Sequence, residues 1–276
     1  MYEGGRMSLH EVLDIALCSD PGVVRSHNED AVFADADLGI AILADGMGGY
    51  NAGEVASGMA TSLLSTAFSR LLRDASNETA LLSYPEQLVN DEICGTNAAI
   101  FHASQTQEKY SGMGTTLVFA WFLDNRVYVA HVGDSRAYRW RDDNLGCLTR
   151  DHSLLQEQID SGMISLDEAK VSHNRNLVTR ALGIEPEVEV DIGVHDVRQG
   201  DILLLCSDGL NDMLDDAQIA EVIAVHGDNL AQAAEKLVER ANDHGGRDNV
   251  SVILVRVMGD CAVHCGWWHK LLAKLK

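Results

Sequence analysis

The chain has 276 residues, 46% of them hydrophobic, and 21 lysines and arginines against 42 aspartates and glutamates leave a formal net charge of −21. That composition supports one large domain or two small ones with a real core, and it excludes a disordered chain. The negative field counts against a nucleic-acid or general polyanion binder. No stretch approaches the roughly 18 unbroken apolar residues of a membrane-spanning helix. The opening run MYEGGRMSLHEVLDIALCSD carries acids where a signal peptide has its apolar stretch, so a cytoplasmic protein is expected. The cysteines Cys18, Cys94, Cys147, Cys206, Cys261 and Cys265 are scattered and read as reduced thiols.

In chain order, strands are predicted at Asp14 to Cys18, Ala31 to Ala34 and Gly39 to Ala44, followed by a helix from about Ala52. Apolar pairs at Val55/Ala56, Met59/Ala60, Leu63/Leu64, Ala67/Phe68 and Leu71/Leu72 paint one face of that helix. A second helix is expected from about Pro85 to Gln105. Two β-rich runs, Thr115 to Leu123 and Arg126 to His131, are joined by Asp124-Asn125 and read as a hairpin; Arg136 to Trp140 follows. Val188 to Val194 and Ile202 to Cys206 are further strands, Asp216 to Val225 and Asn229 to Asp243 are helices, and Asn249 to Val257 is the last strand. Locally paired strands with segregated helices predict an α+β fold rather than parallel βαβ units. No linker is evident before Val257, so the chain reads as one domain over 1–257 with a short tail, 258–276.

Four aspartates stand at the ends of apolar strands: Asp45, Asp134, Asp208 and Asp248. One Asp-Gly after a strand is usually a plain turn. Four carboxylates at the rim of one sheet repel one another unless a cation lies between them, and hard oxygen ligands suit Mg²⁺ or Mn²⁺. The histidines show no such organisation: His131, His152 and His173 read as core or surface residues. The glycine-rich run Gly46 to Glu54 leads into the first helix and is either a tight loop or a place of close backbone approach. Arg25, followed by Glu29 and Asp30, is either a surface ion pair or a fork suited to a phosphate dianion.

The motifs SDPGVVRSHNED, LADGMGG, GMGTT, VGDSRAY, LTRDHS, VTRALG, CSDGLND and GGRDNVSVI occur in that order between about Ile15 and Val257. In this the chain resembles the PPM family, and within it the bacterial type 2C serine/threonine protein phosphatases. The resemblance implies a central antiparallel β-sandwich flanked by helix pairs. It also implies direct attack of a metal-bridged water on the phosphorus, without a phosphoenzyme. Carried over by position, Asp45 bridges two Mn²⁺ or Mg²⁺ ions, the Gly46 carbonyl binds one of them, and Asp208 and Asp248 complete the pair. Asp134 matches the ligand of a third, weaker metal, Glu29 and Asp30 match an acidic pair that binds metal-site waters, and Arg25 matches the phosphate-binding arginine. Asn249 stands beside Asp248, and Leu154 to Asn176 matches the flap. Where eukaryotic members carry a histidine after the Asp-Gly, Met47 stands here and cannot donate a proton. The implied partners are phosphoproteins and a cognate bacterial serine/threonine kinase, and the enzyme is expected to be a monomer.

Other chemistries fit less well. Gly133-Asp134-Ser135-Arg136-Ala137 is one residue short of a serine-hydrolase elbow and lies between two strands rather than before a helix. No cysteine has an arginine six residues on, and no Gly-Lys occurs for a P-loop. A catalytically dead binding module would have lost metal aspartates. In the tail, Trp267, Leu271 and Leu275 recur at a four-residue spacing among Lys270, Lys274 and Lys276. A short amphipathic helix is expected there, packed on the domain or docking a partner or membrane surface.

Overall fold

The computed structural model describes residues 9–49, 52–73, 83–165, 168 and 177–261. Among these, one sheet has the order β1 (Leu13–Asp20), β11 (Val250–Val257), β10 (Ile202–Cys206), β7 (Arg136–Arg141), β8 (Asn144–Cys147). The other has the order β2 (Asp30–Asp35), β3 (Ile40–Met47), β5 (Leu117–Leu123), β6 (Arg126–Val132), β9 (Asp191–Asp196), and β4 (Gly114–Thr115) pairs with the end of β3. All these pairings are antiparallel.

Period-2 alternation decides how the sheets stack. On β5, Val118, Ala120 and Phe122 join Ala41 and Leu43 of β3, Leu203 and Leu205 of β10, and Ile253 and Val255 of β11 in a core between the sheets. The alternate residues face outward. Ile40, Ile42, Leu117, Phe119 and Trp121 meet helices α1 (Ala52–Arg73) and α2 (Pro85–Thr106). On the opposite outer face Leu204, Cys206, Val252 and Leu254 meet α5 (Asp216–His226) and α6 (Leu230–Asp243). Both faces of each central strand are therefore apolar, and the result is a four-layer α+β arrangement. Two short α-helices, α3 (Leu154–Asp160) and α4 (Asp208–Asn211), and two 3₁₀ turns, Leu9–Glu11 and Glu108–Tyr110, complete the described elements.

Local chemistry sets the boundaries. Asp124 and Asn125 adopt φ of 51° and 57°, the two left-handed residues of a type I′ hairpin. Asp142 and Asp143 do the same at 51° and 58°, which produces the β7–β8 hairpin that the unpatterned NLGC run of β8 did not advertise. Asp215 and Gln218 form a reciprocal capping box on α5, and the Asn229 side chain caps α6. In α1 the stripe Ala56, Ala60, Leu64 and Phe68 is buried, whereas Leu63 is partly exposed.

The strand predicted at 188–194 instead covers Asp191–Asp196. Backbone carbonyls before it are taken by α2 side chains: Asn97 Nδ2 donates to the oxygens of Glu185 and Pro186, and Cys94 Sγ to that of Val188. The tail helix predicted at 267–275 lies outside the described residues, as does most of the flap after Ser165. Cys261 is buried in the inter-sheet core and its N–H donates to Asn125 Oδ1 at 2.7 Å.

Phe68 joins α1 to its sheet, with its ring centroid 4.7 Å from Phe119 and 5.4 Å from Trp121. Phe68→Ala is expected to lower stability by about 3–5 kcal/mol in denaturant titration.

Candidate active site

The polar ends of the strands converge on an acidic basin at one end of the sandwich. Asp30 opens β2 directly opposite Asp45 on β3, which makes the two carboxyls neighbours that titrate together. Asp45 is fixed through its backbone: its oxygen accepts from Thr116 N and Thr115 Oγ1, both at 2.8 Å, and its N–H donates to Thr116 Oγ1. These bonds explain why the predicted 115–123 strand breaks at Thr116. A Cβ on Gly46 would lie 2.1 Å from the Gly53 oxygen and 2.6 Å from that of Glu29. Glycine there is what lets the start of α1 press against the end of β3, and the glycine-rich run is thus a close approach rather than only a loop.

Asp208 begins α4 just beyond β10, and Asp248 precedes β11. Ser207 Oγ donates to Asp30 Oδ2 at 2.8 Å and accepts from Ser251 N–H at 3.0 Å, stitching the two sheets together beneath the basin. Asp134 is buried in the turn after β6; next to it Ser135 Oγ bonds Thr116 Oγ1 at 2.7 Å. The structure thus brings together every acid singled out in the sequence. Glu29 is the most peripheral, its main chain bound at both ends through Gly46 N and Asn249 Oδ1.

Electrostatics follow from that crowding. Burial raises the Asp45 carboxyl well above its ordinary value, and Asp30, Asp208, Asp134 and Asp248 push it further. Part of its side chain still opens to the basin. Asp208 is raised in the same way, by burial and then by Asp134, Asp212, Asp248 and Asp30. Burial pushes Asp30 and Asp134 up to about 6, in Asp30 against the lowering influence of the nearby Ser251 and Ser207 hydroxyls. Glu29 is raised by burial, opposed by Arg25. Asp30 Oδ1 and Asp208 Oδ1 are buried without a hydrogen-bond partner. Converging oxygen donors, two of them orphaned, fit divalent cations: a hard ion would satisfy those lone pairs and remove the repulsion that drives the carboxyls toward protonation.

Arg25 realises one of its two sequence readings and is placed for the other. Its Nη2 donates to Asp248 Oδ2 at 2.6 Å, while its side chain stays 52% exposed at the basin rim. Two features escaped sequence reasoning. The first is Asn249, a buried clamp: its Nδ2 donates to the oxygens of Pro21 and His27 at 3.0 and 2.8 Å, and its Oδ1 accepts from Glu29 N–H at 2.8 Å. Its position beside Asp248 was the only signal. The second is the clustering of His131 and His152, which stack at 4.6 Å beside Asp191. His152 Nδ1 accepts from Gly133 N–H at 3.2 Å, and Arg180 Nη1 lies 3.3 Å from His152 Nε2 and 3.0 Å from Asp191 Oδ1. With Nδ1 committed as an acceptor, Nε2 carries the ring proton, which suits a hydrogen-bonded support of the Asp134 turn better than a metal ligand.

A basin of crowded carboxylates at one end of two stacked antiparallel sheets defines a metal-binding α+β protein. Residues 23–254 match the family model described as protein phosphatase 2C, and the chain belongs to that family. The serine/threonine phosphatase stp of Listeria innocua is 41% identical over 243 residues, 86% of this chain and 93% of that protein. The crystal structure of the serine/threonine phosphatase Stp1 from Staphylococcus aureus superposes with a TM-score of 0.81 at 33% identity, covering 94% of this chain and 100% of that one. The catalytic domain of the serine/threonine phosphatase PstP, crystallised with 2 manganese ions, superposes with a TM-score of 0.78 at 37% identity, covering 90% of this chain and 99% of that one.

The raised carboxyls predict a pH dependence. Without divalent ions, the unfolded chain releases the Asp30 and Asp134 protons near the ordinary 3.8 but the folded chain only near 6. The folded state binds more protons across that window, so its stability falls as pH rises through it. Thermal unfolding in EDTA is expected to give a lower Tm at about pH 7.5 than at about pH 5. Mn²⁺ is expected to raise the Tm more at the higher pH.

Proposed function

We propose that the acidic basin is the two-metal centre through which this metal-dependent serine/threonine protein phosphatase hydrolyses phosphoserine and phosphothreonine on proteins. The water attacks directly and no phosphoenzyme forms. The observation that carries this reading is the set of carboxylates delivered by different strands to one place, two of them with orphaned buried oxygens. Asp45 would bridge two Mn²⁺ or Mg²⁺ ions, with the Gly46 carbonyl, Asp208 and Asp248 completing their shells. Glu29 and Asp30 would act through waters, and Asp134 would hold a third, weaker ion. When bound, such ions acidify a water and neutralise the charge of the phosphoryl group.

The chain's own residues supply position. Arg25, reaching from the rim, presents a planar fork that holds phosphate oxygens with the ester bond turned away from the basin floor. Ser207 keeps Asp30 in place by donating to Oδ2, and Asn249 ties the Arg25 loop to the Asp248 loop. Met47 has no proton to give, so the leaving alkoxide takes its proton from water or another acid. The reading extends to one catalytic domain over 1–257 with a short tail, 258–276, whose first residues stay packed on the domain through Cys261, in a cytoplasmic monomer acting on the targets of a serine/threonine kinase. No described helix is long and apolar enough to cross a membrane.

Hydrolysis of p-nitrophenyl phosphate and phosphothreonine peptides should require Mn²⁺ or Mg²⁺ and stop in EDTA. Asp45→Asn and Asp208→Asn are each expected to lower kcat by about two orders of magnitude or more, because each removes a charge from the ion pair. Full turnover by metal-free protein would refute the assignment. Arg25→Ala is expected to raise KM for a phosphopeptide about tenfold or more while changing Mn²⁺ affinity much less. Calorimetry showing that Mn²⁺ binding is abolished would instead make Arg25 a structural partner of Asp248.

A further inference from the structure

We infer that Val23 and Val24 form a rigid apolar lip beside the phosphate position that reads the substrate residue next to the phosphorylated serine or threonine, favouring an apolar neighbour over a charged one. The inference rests on the reading of the basin as a phosphatase centre and adds a specificity element to it.

Each valine is 67% exposed, and of the exposed large hydrophobic side chains among the described residues only Met163 is more so. Both are nevertheless held by the main chain. The N–H groups of Val23 and Val24 donate to the same acceptor, the Gly246 oxygen, at 2.8 and 3.1 Å. Just before them Gly22 takes φ +79°, where a Cβ would lie 2.2 Å from the Asp248 oxygen. Beneath them Gly246 takes φ +48°, and a Cβ there would lie 2.7 Å from Val23 Cγ2. The loop is therefore seated on the loop that carries Asp248, and immediately after Val24 comes Arg25, bonded to Asp248.

On this inference, a peptide whose phosphate meets the Arg25 fork lays a flanking side chain against this segment, because the valines immediately precede Arg25 in the chain. Covering two β-branched side chains that are already ordered costs little conformational entropy, so apolar contact there yields net affinity. An acidic neighbour would instead meet the negative charges around Arg25, those of Asp248, Glu29 and Asp208, on a chain of net charge −21. The favoured substrate class is thus a phosphorylated serine or threonine flanked directly by Val, Leu or Ile.

The test compares kcat/KM for phosphothreonine peptides carrying leucine, serine, lysine or aspartate at the position before or after the phosphorylated residue. Wild-type protein is expected to prefer leucine over serine by about five- to tenfold at one of the two positions, mainly through KM. The V23S/V24S double variant is expected to reduce that preference to about twofold or less, with p-nitrophenyl phosphate turnover unchanged, and V23I/V24I to retain it. A preference that survives the serine substitutions overturns the lip. So does a wild-type preference for lysine or aspartate, or loss of p-nitrophenyl phosphate turnover in both variants, which would make the valines a scaffold for Arg25. Wild-type protein inert toward p-nitrophenyl phosphate with Mn²⁺ would overturn the phosphatase reading itself, and the lip with it.

Discussion

The structure depends on holding like charges together. Asp30, Asp45, Asp134, Asp208 and Asp248 act on one another electrostatically, and left to themselves they would separate or take up protons. Separation is prevented because the backbone around them has no slack. Asp45 follows Ala41 to Ala44, all wholly buried, and Asp208 follows Leu204 to Cys206, equally buried; neither can retreat without moving a strand of the core. The apolar layers therefore do mechanical work for the polar rim, and part of their stability offsets carboxylate repulsion.

The hydroxyls and glycines at the strand ends are the means. Ser207, Ser251, Thr115 and Thr116 are buried polar residues whose hydrogen bonds run between segments far apart in sequence. Glycine at 209 plays the same part as at 46: a Cβ would lie 2.0 Å from the Asn249 oxygen. Where charges must be close, the chain removes bulk beside them, so Asp45 and Asp208 are set by close backbone contact, while Asp248 has Arg25 as its counterion.

Much of this was legible in the sequence, and for physical reasons. Strands buried on both faces read as continuous apolar runs, so Ile40 to Ala44, Leu117 to Phe122 and Val250 to Val257 were visible, and with them the aspartates at their ends. Asp124-Asn125 betrayed its hairpin because few residues accept two positive φ values in succession. What stayed hidden is long-range. The start of β9 is set by Cys94 and Asn97, about ninety residues upstream; the clamp of Asn249 reaches back more than 220 residues; and the stacking of His131 on His152 has no periodic signature. Periodicity reports which face of an element is buried. It does not report which distant side chain will take an idle carbonyl.

The clamp made by Asn249 also depends on an amide remaining an amide. A primary amide is the one side chain that can donate twice and accept once in that place, and an amide is the side chain that water slowly converts to a carboxylate. Conversion to aspartate would erase both donors to Pro21 and His27 and set another negative charge beside Asp248. Burial and the β-branched Val250 that follows slow the backbone attack through which such ageing proceeds. The residue that aligns the two loops is thus placed where that conversion is slowed.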